Sequence, residues 1–184
     1  MKRLLDILLA AIALVLTAPV MLAVAFAVYA YDRGPVFFRQ TRIGLGGRRF
    51  GMLKFRSMVV DAERRGGFST SEGDPRITPV GRFIRRTSLD ELPQILNVFL
   101  GDMSIVGPRP DVPAQRDLYD DEEWELRHLV RPGITGLAQA MLRSEATVDQ
   151  RKTLDLRYAR EANLRLDFFI IGLTFKQIFG KGGN

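Results

Sequence analysis

From Ile7 to Tyr31 the chain carries no charged side chain, and this run limits what it can fold into more than any other feature. As a straight helix rising ~1.5 Å per residue it would be about 37 Å long, enough to cross a hydrocarbon core of roughly 30 Å. It is too long for the apolar core of a signal peptide. Pro19 sits near its middle, where it removes a backbone donor and crowds the preceding turn, so a kink is expected there. Each half is then about 18 Å long, roughly half the hydrocarbon thickness. Lys2 and Arg3 precede the run, and Arg33, Arg39 and Arg42 follow it. Both flanks are thus basic, as cytoplasmic flanks tend to be. A re-entrant helix broken near Pro19, entering and leaving by one leaflet, satisfies both flanks. A single-pass anchor with a tolerated proline satisfies the length alone, and at this level both remain open. Asp6, at the boundary, is expected to pair with Arg3 or with a basic residue of the following domain.

The formal charge of +6 calls for an anionic partner: nucleic acid, phosphate groups or anionic lipid. There is no cysteine and a single histidine, His128. Disulfides, thiol chemistry and cysteine- or histidine-rich metal sites are therefore excluded. A metal here would be a hard cation on carboxylates and phosphates, with magnesium the natural choice. The length fits one modest domain, 34–184, beyond the membrane helix of 1–33.

The remainder reads as α+β, mostly helical. Pro35–Gln40 and Arg49–Ser57 form strands of a small β-hairpin, turned by Gly44, Gly46 and Gly47. Met58–Arg65 reads as a short helix and Gly66–Arg76 as loop. Thr78-Pro79 opens a helix to about Arg86. Ser88 and Glu91 have capping-box spacing, Pro93 fits only near a helix start, and Gly101 ends that helix. Gly107–Pro110 and Arg131–Gly136 are constrained loops. Val112–Leu129 reads as one helix, and Thr147 with Gln150 opens another, to Glu161. Leu164–Phe179 is an amphipathic helix that either lies in the membrane interface or closes the core.

Asp90-Glu91 is the most informative pair for chemistry. Two carboxylates at a helix start lie near unpaired backbone donors and the positive end of the macrodipole, which favours the ionised form a nucleophile requires. Taken alone, the dipeptide reads more readily as a helix cap, a common place for acidic residues. Arg82, Arg85 and Arg86 lie close before it, and two Gly/Pro-fixed loops carry Arg109 and Arg131. Lys54 and Arg56 suit phosphates or lipid head groups, or they solvate a strand edge. His128 is read as structural.

Lys54–Met58, Gly81–Gln94, Met103–Pro110 and Arg131–Gly136, in that order, together resemble the monotopic bacterial sugar transferases, the polyprenyl-phosphate hexose-1-phosphate transferases of glycan assembly. The match covers nearly the whole chain, whose length is that of a minimal catalytic form. The resemblance implies a re-entrant helix broken at Pro19 and Asp90 as nucleophile on the β-phosphate of a UDP-sugar. It implies UMP release, then transfer of the phosphosugar from Asp90 to polyprenyl phosphate. Glu91 is implied in positioning Mg2+ or managing protons, with Asp90 and Glu91 as metal ligands. Lys54, Arg56, Arg82, Arg86, Arg109 and Arg131 are the candidate phosphate contacts. Asp155, Tyr158 and Asp167 follow the family's pattern near the carboxyl end, with Asn163 where serine is expected, and have no assigned role. The implied setting is the cytoplasmic face of a bacterial inner membrane, with membrane lipid as a partner, a homodimer as an option and no nucleic acid. The competing reading is a non-catalytic basic scaffold on the membrane that binds anionic lipid or nucleic acid.

Overall fold

A computed structural model describes residues 1–62, 73–142 and 147–179. The uncharged run lies inside one helix, α1, Lys2–Asp32, roughly 46 Å long at 1.5 Å per residue. Pro19 is inside it, and the helix continues on both sides; what the proline removes is one backbone donor. Among the described residues, only α1 is long and apolar enough to cross a membrane.

One face of α1 packs on the rest of the chain along its whole length. Near its start, Ala10 joins Met52, Ile95, Val98 and Met103 in a buried cluster. Near its end, Val24 and Val28 join Phe55 and Ile84 in a second. The opposite face leaves Leu4, Leu8, Val15, Leu16, Leu22 and Phe26 exposed, an apolar stripe too large to be incidental. Polar groups fix the two ends. Lys2 Nζ donates to Asp167 Oδ2 at 2.7 Å and to the Val106 carbonyl at 3.1 Å. Arg3 donates to the carbonyls of Val98 and Phe99 at 2.6 and 2.8 Å. At the far end Asp32 pairs with Arg56. Asp6, 4 % exposed, pairs with neither Arg3 nor another cation among the described residues, contrary to expectation. Its Oδ1 accepts from Ser104 Oγ and Ile105 N, both at 3.0 Å. Arg3 is drawn instead to helix-terminal carbonyls, where a cation also meets the negative end of a dipole.

The hairpin is β1, Phe37–Ile43, antiparallel to β2, Arg49–Phe55, with Phe37 opposite Phe55 and Ile43 opposite Arg49. Gly46 and Gly47, at φ 63° and 74°, make its turn. The helix expected from Met58 does not start: Met58 bridges Ile77 instead, and 58–62 has no helix. The rest of that segment, 63–65, and the start of the expected loop, 66–72, lie outside the described residues. The helix α2, Pro79–Arg86, begins as read, with Thr78 Oγ1 accepting from Gly81 N at 2.8 Å. A side chain at Gly81 would meet the Ser57 carbonyl 1.8 Å away, so glycine lets α2 sit on the end of the hairpin. The helix α3, Gln94–Leu100, ends at Gly101 with φ 103°.

Two short strands, β3 (Ser104–Val106) and β4 (Gly133–Thr135), pair in parallel and bring the two Gly/Pro loops into backbone contact. A Cβ on Gly107 would lie 2.2 Å from the Arg131 carbonyl. The single helix expected over Val112–Leu129 is divided. A 3-10 turn covers Pro113–Leu118, Tyr119 is extended, and α4 runs Asp121–Arg127. The division has a local cause. Asp120 prefers to cap: it accepts from Glu123 N at 2.7 Å, and Glu123 reaches back to Asp120 N at 3.2 Å. The helix α5, Leu137–Met141, was not anticipated. The helices α6, Val148–Glu161, and α7, Leu164–Phe179, follow the reading, with Thr147 and Gln150 forming the expected box. They close a third cluster around Val106, Leu137, Tyr158 and Ile170, while Phe168, Phe169 and Phe175 of α7 remain exposed. The chain is α+β and mostly helical.

Asn97 joins the layers. Its Oδ1 accepts from Leu53 N and its Nδ2 donates to the Gly51 carbonyl, both at 2.9 Å, so it completes the free edge of β2 from α3. It is 1 % exposed. Asn97→Ala should strand both backbone groups and cost about 2–3 kcal/mol, read as a lower thermal midpoint of the protein in lipid nanodiscs. An unchanged midpoint contradicts this account of the edge.

Candidate active site

Asp90 and Glu91 sit in one 3-10 turn, Leu89–Glu91, between α2 and α3. Ser88 enters it in the left-handed region, φ 57°, and makes no side-chain cap bond, so the anticipated capping box is not formed. The carboxylate that should have closed the box is taken: Lys54 Nζ donates to Glu91 Oε1 at 2.7 Å. A charge-assisted bond of that length outweighs a neutral backbone contact. Arg109 approaches the same oxygen at 3.5 Å.

The two neighbouring carboxylates are placed differently. Asp90, 8 % exposed, lines a cavity of about 370 Å3, and Glu91 does not. Lys54, Arg85 and Asp90 supply charge to the cavity wall, and Phe37, Phe38 and Phe55 supply aromatic surface. Among the described residues no side chain hydrogen-bonds the Asp90 carboxylate, whereas Glu91 has two cations. Burial pushes the Asp90 carboxyl up, Lys54 pulls it down, and the Glu91 charge adds to the rise, leaving it above the usual aspartate value. Burial pushes Glu91 up as well, but Lys54 and Arg109 together outweigh it and hold its carboxyl below the ordinary value. Adjacent acids with opposite shifts are the arrangement expected where one carboxylate does chemistry and the other is fixed by charge.

Magnesium can be tested against these donors. Among the described residues no three acidic or histidine side chains are grouped so that they could hold a metal ion, so these residues build no complete cage. Magnesium commonly takes only one or two carboxylates and fills its shell with water and substrate phosphate. An Asp90 carboxylate that no other side chain bonds among the described residues, beside Glu91, suits that mode.

The remaining candidates divide. Lys54 and Arg109 stand at the dyad. Arg56 lines the cavity, but its guanidinium is spent on Asp32, at 2.5 and 2.6 Å, and on the Pro35 carbonyl at 2.5 Å. Its evident work is to tie the end of α1 to the hairpin. Arg82 and Arg86 are exposed on α2, away from the cavity wall, and Arg85 is on it. Gly81 and Ile84 are the buried positions of α2, and Arg85, four residues after Gly81, shares their side. Arg131 donates to the Gly101 carbonyl at 2.9 Å, so with Arg3 it caps the carboxyl end of α3. Pro19 lies inside α1, away from the dyad, with helix on both sides of it. His128 is buried, with Nδ1 2.7 Å from the Trp124 carbonyl, a structural place. Tyr158 donates to Asp167 Oδ1 at 2.6 Å and to the Val106 carbonyl at 3.0 Å, forming the seat for Lys2. Asp155 binds Arg127. Arg42, which entered the reading only as a flanking charge, donates to the Pro110 carbonyl at 2.8 Å.

Residues 1–181 match the family described as bacterial sugar transferase. The UDP-glucose:undecaprenyl-phosphate glucose-1-phosphate transferase of Escherichia coli (strain K12) is 46% identical over 98% of this chain and 41% of its own length. The UDP-N-acetylgalactosamine-undecaprenyl-phosphate N-acetylgalactosaminephosphotransferase of Aeromonas hydrophila is 42% identical over 96% of this chain and 43% of its own. The uncharacterized sugar transferase EpsL of Bacillus subtilis (strain 168) is 38% identical over 100% of this chain and 89% of its own. The chain thus spans about two fifths of the first two relatives and most of the third.

The opposed shifts can be measured. The Asp90 carboxyl, identified in carbon-13 spectra by its loss in Asp90→Asn, should titrate above the ~3.9 of a free aspartate. Lys54→Met removes the cation that holds it down and should move the midpoint further up. A downward move contradicts the assignment.

Proposed function

The chain belongs to the bacterial sugar transferase family, and from that premise we propose that it moves a sugar-1-phosphate from a UDP-sugar to a polyprenyl phosphate. The products are polyprenyl diphosphate sugar and UMP. The observation that carries the reading is Asp90: a carboxylate on a cavity wall, bonded by no other side chain among the described residues, between Lys54 and Arg85. The names of the relatives supply the class of donor and acceptor.

The reaction runs in two displacements. A carboxylate oxygen of Asp90 attacks the β-phosphorus of the donor. The bond from that phosphorus to the bridging oxygen breaks, and UMP leaves with the electron pair. The sugar phosphate is now joined to Asp90 as an acyl phosphate. A phosphate oxygen of the polyprenyl acceptor then attacks the same phosphorus, and the Asp90 carboxylate departs unchanged. The covalent intermediate lets two unlike substrates use one site in turn, which is ping-pong behaviour. Attack of one anion on another needs cations in place, and Lys54, Arg85 and Arg109 provide them. Because Lys54 is bonded to Glu91, the pair also holds Asp90's neighbour still. Magnesium, when bound by Asp90 and Glu91 with the diphosphate, supplies further charge neutralisation.

The proposed setting is the cytoplasmic face of a bacterial inner membrane, with α1 re-entrant. Support for re-entry comes from anchoring: Lys2 and Arg3 at one end of α1 and Asp32 at the other are all bonded to the same domain. A helix crossing to the far leaflet would carry one end away from it. The exposed Leu and Phe stripe of α1 then faces lipid, and α7 lies at the interface with Phe168 and Phe169 outward.

Mass spectrometry of the detergent-solubilised protein with a panel of UDP-sugars should show a phosphosugar adduct on Asp90 and free UMP. Asp90→Asn should remove both without lowering the thermal midpoint. A basic scaffold would give neither product. For topology, the absence of cysteine allows single probes at Leu4→Cys and Tyr31→Cys. Both should react with an impermeant maleimide from the cytoplasmic side alone; reaction from opposite sides would establish a spanning helix.

A further inference from the structure

The loop that carries Arg109 is gripped by its carbonyl oxygens. That of Pro108 accepts from Gly133 N at 2.9 Å, and that of Asp111 from Ile43 N at 2.9 Å. Between them, the Arg109 carbonyl accepts from Arg127 Nη2 and the Pro110 carbonyl from Arg42 Nη1, each at 2.8 Å. Four consecutive carbonyls are thus occupied, the middle two by guanidinium groups. Pro108 and Pro110 fix φ on either side. From this fixed backbone the Arg109 side chain, 54 % exposed, reaches Glu91.

Arg127 is an expensive way to hold a loop. Its side chain is 3 % exposed, and it lies between two buried carboxylates, Asp111 Oδ2 at 2.6 Å from Nε and Asp155 Oδ2 at 2.5 Å from Nη1. Asp155 Oδ1 is buried with no partner among the described residues. A buried cluster of this kind is often no more stable than apolar side chains of the same volume. Stability alone therefore gives no reason for it. What an apolar replacement could not supply is Nη2, which donates to the Arg109 carbonyl at 2.8 Å and, at a longer 3.2 Å, to Asp111 Oδ1. Arg42 is built alike: Gln40 Oε1 holds its Nη2 and Nε at 2.7 and 3.2 Å, and its Nη1 goes to the next carbonyl.

We infer that Arg127, oriented by Asp111 and Asp155, is a positioning residue for Arg109, and that Arg42 does the same one residue further on. Arg109, so fixed, meets the diphosphate of the nucleotide donor beside Glu91. This gives Asp155 a role in the site although it does not line the cavity. The inference rests on the diphosphate reading of the site.

The test is a double-mutant comparison on the full chain in nanodiscs, with two readouts: calorimetric binding of UDP, and UMP release from a UDP-sugar. Arg127→Lys keeps the buried charge and loses the fork, and Asp155→Asn keeps the shape and loses an orienting charge. Each should weaken UDP binding and kcat/KM roughly tenfold, the scale of a small misplacement of a phosphate contact. In an Arg109→Ala background the same changes should have no further effect, because the group they position is gone. Equal losses in both backgrounds, or none in either, overturn the inference. Should Arg127→Lys fail to fold, Asp155→Asn and Arg42→Lys carry the same comparison. Coupling in UDP binding without any UMP release would sink the transferase reading and leave the positioning intact; UMP release without coupling would do the reverse.

Discussion

The anchoring of α1 by charge at its two ends, with no charged side chain between, sets the terms for the rest of the molecule. Lys2 reaches β3, α6 and α7 through Val106, Tyr158 and Asp167. Arg3 completes α3, Asp6 receives β3, and Asp32 receives the hairpin through Arg56. Two of the three apolar clusters have α1 as a wall. The helix is thus a scaffold member as much as a membrane element, and the dyad between α2 and α3 rests on elements that α1 supports directly.

On that support, two carboxylates adjacent in sequence acquire opposite properties. The left-handed turn at Ser88 and the pull of Lys54 separate them: Glu91 becomes the fixed partner of cations, and Asp90 is left against the cavity with no side-chain bond among the described residues. The same dipeptide in a regular helix start would give two similar, solvated caps. The difference is tertiary, carried by one lysine on a neighbouring strand.

That difference also explains what could be read from the sequence. Locally determined features were legible: the Thr78 and Thr147 caps, the Gly101 stop, the glycine turn of the hairpin and the apolar run of α1. The dyad was visible as a pair, and Lys54 and Arg109 as companions. Features settled by competition between distant groups were not. The Ser88–Glu91 box lost to Lys54, and the long helix over Val112–Leu129 lost to the Asp120 cap. Arg56 and Arg131 looked like phosphate contacts, and the structure gives them to Asp32 and to Gly101. An arginine's sequence context does not say whether its fork meets a ligand or a carbonyl. Arg85 was passed over because α2 shows three arginines, and only the buried side marked by Gly81 and Ile84 reveals which one faces the cavity.

The bond between Lys2 and Asp167 joins residues 165 positions apart. A ribosome delivers residues in order, at roughly 5–20 per second, so the helix emerges some ten to thirty seconds before the carboxylate that receives its first lysine. For most of that interval Lys2 lacks both Tyr158 and Asp167, whereas the groups that Arg3 and Asp6 bond, in 98–105, are made earlier. An ammonium group without its carboxylate is costly to place in hydrocarbon, so this lysine stays solvated until Asp167 is made. The seat of that lysine is therefore completed last, and the fold locks onto the start of α1 only once α6 and α7 have been synthesised.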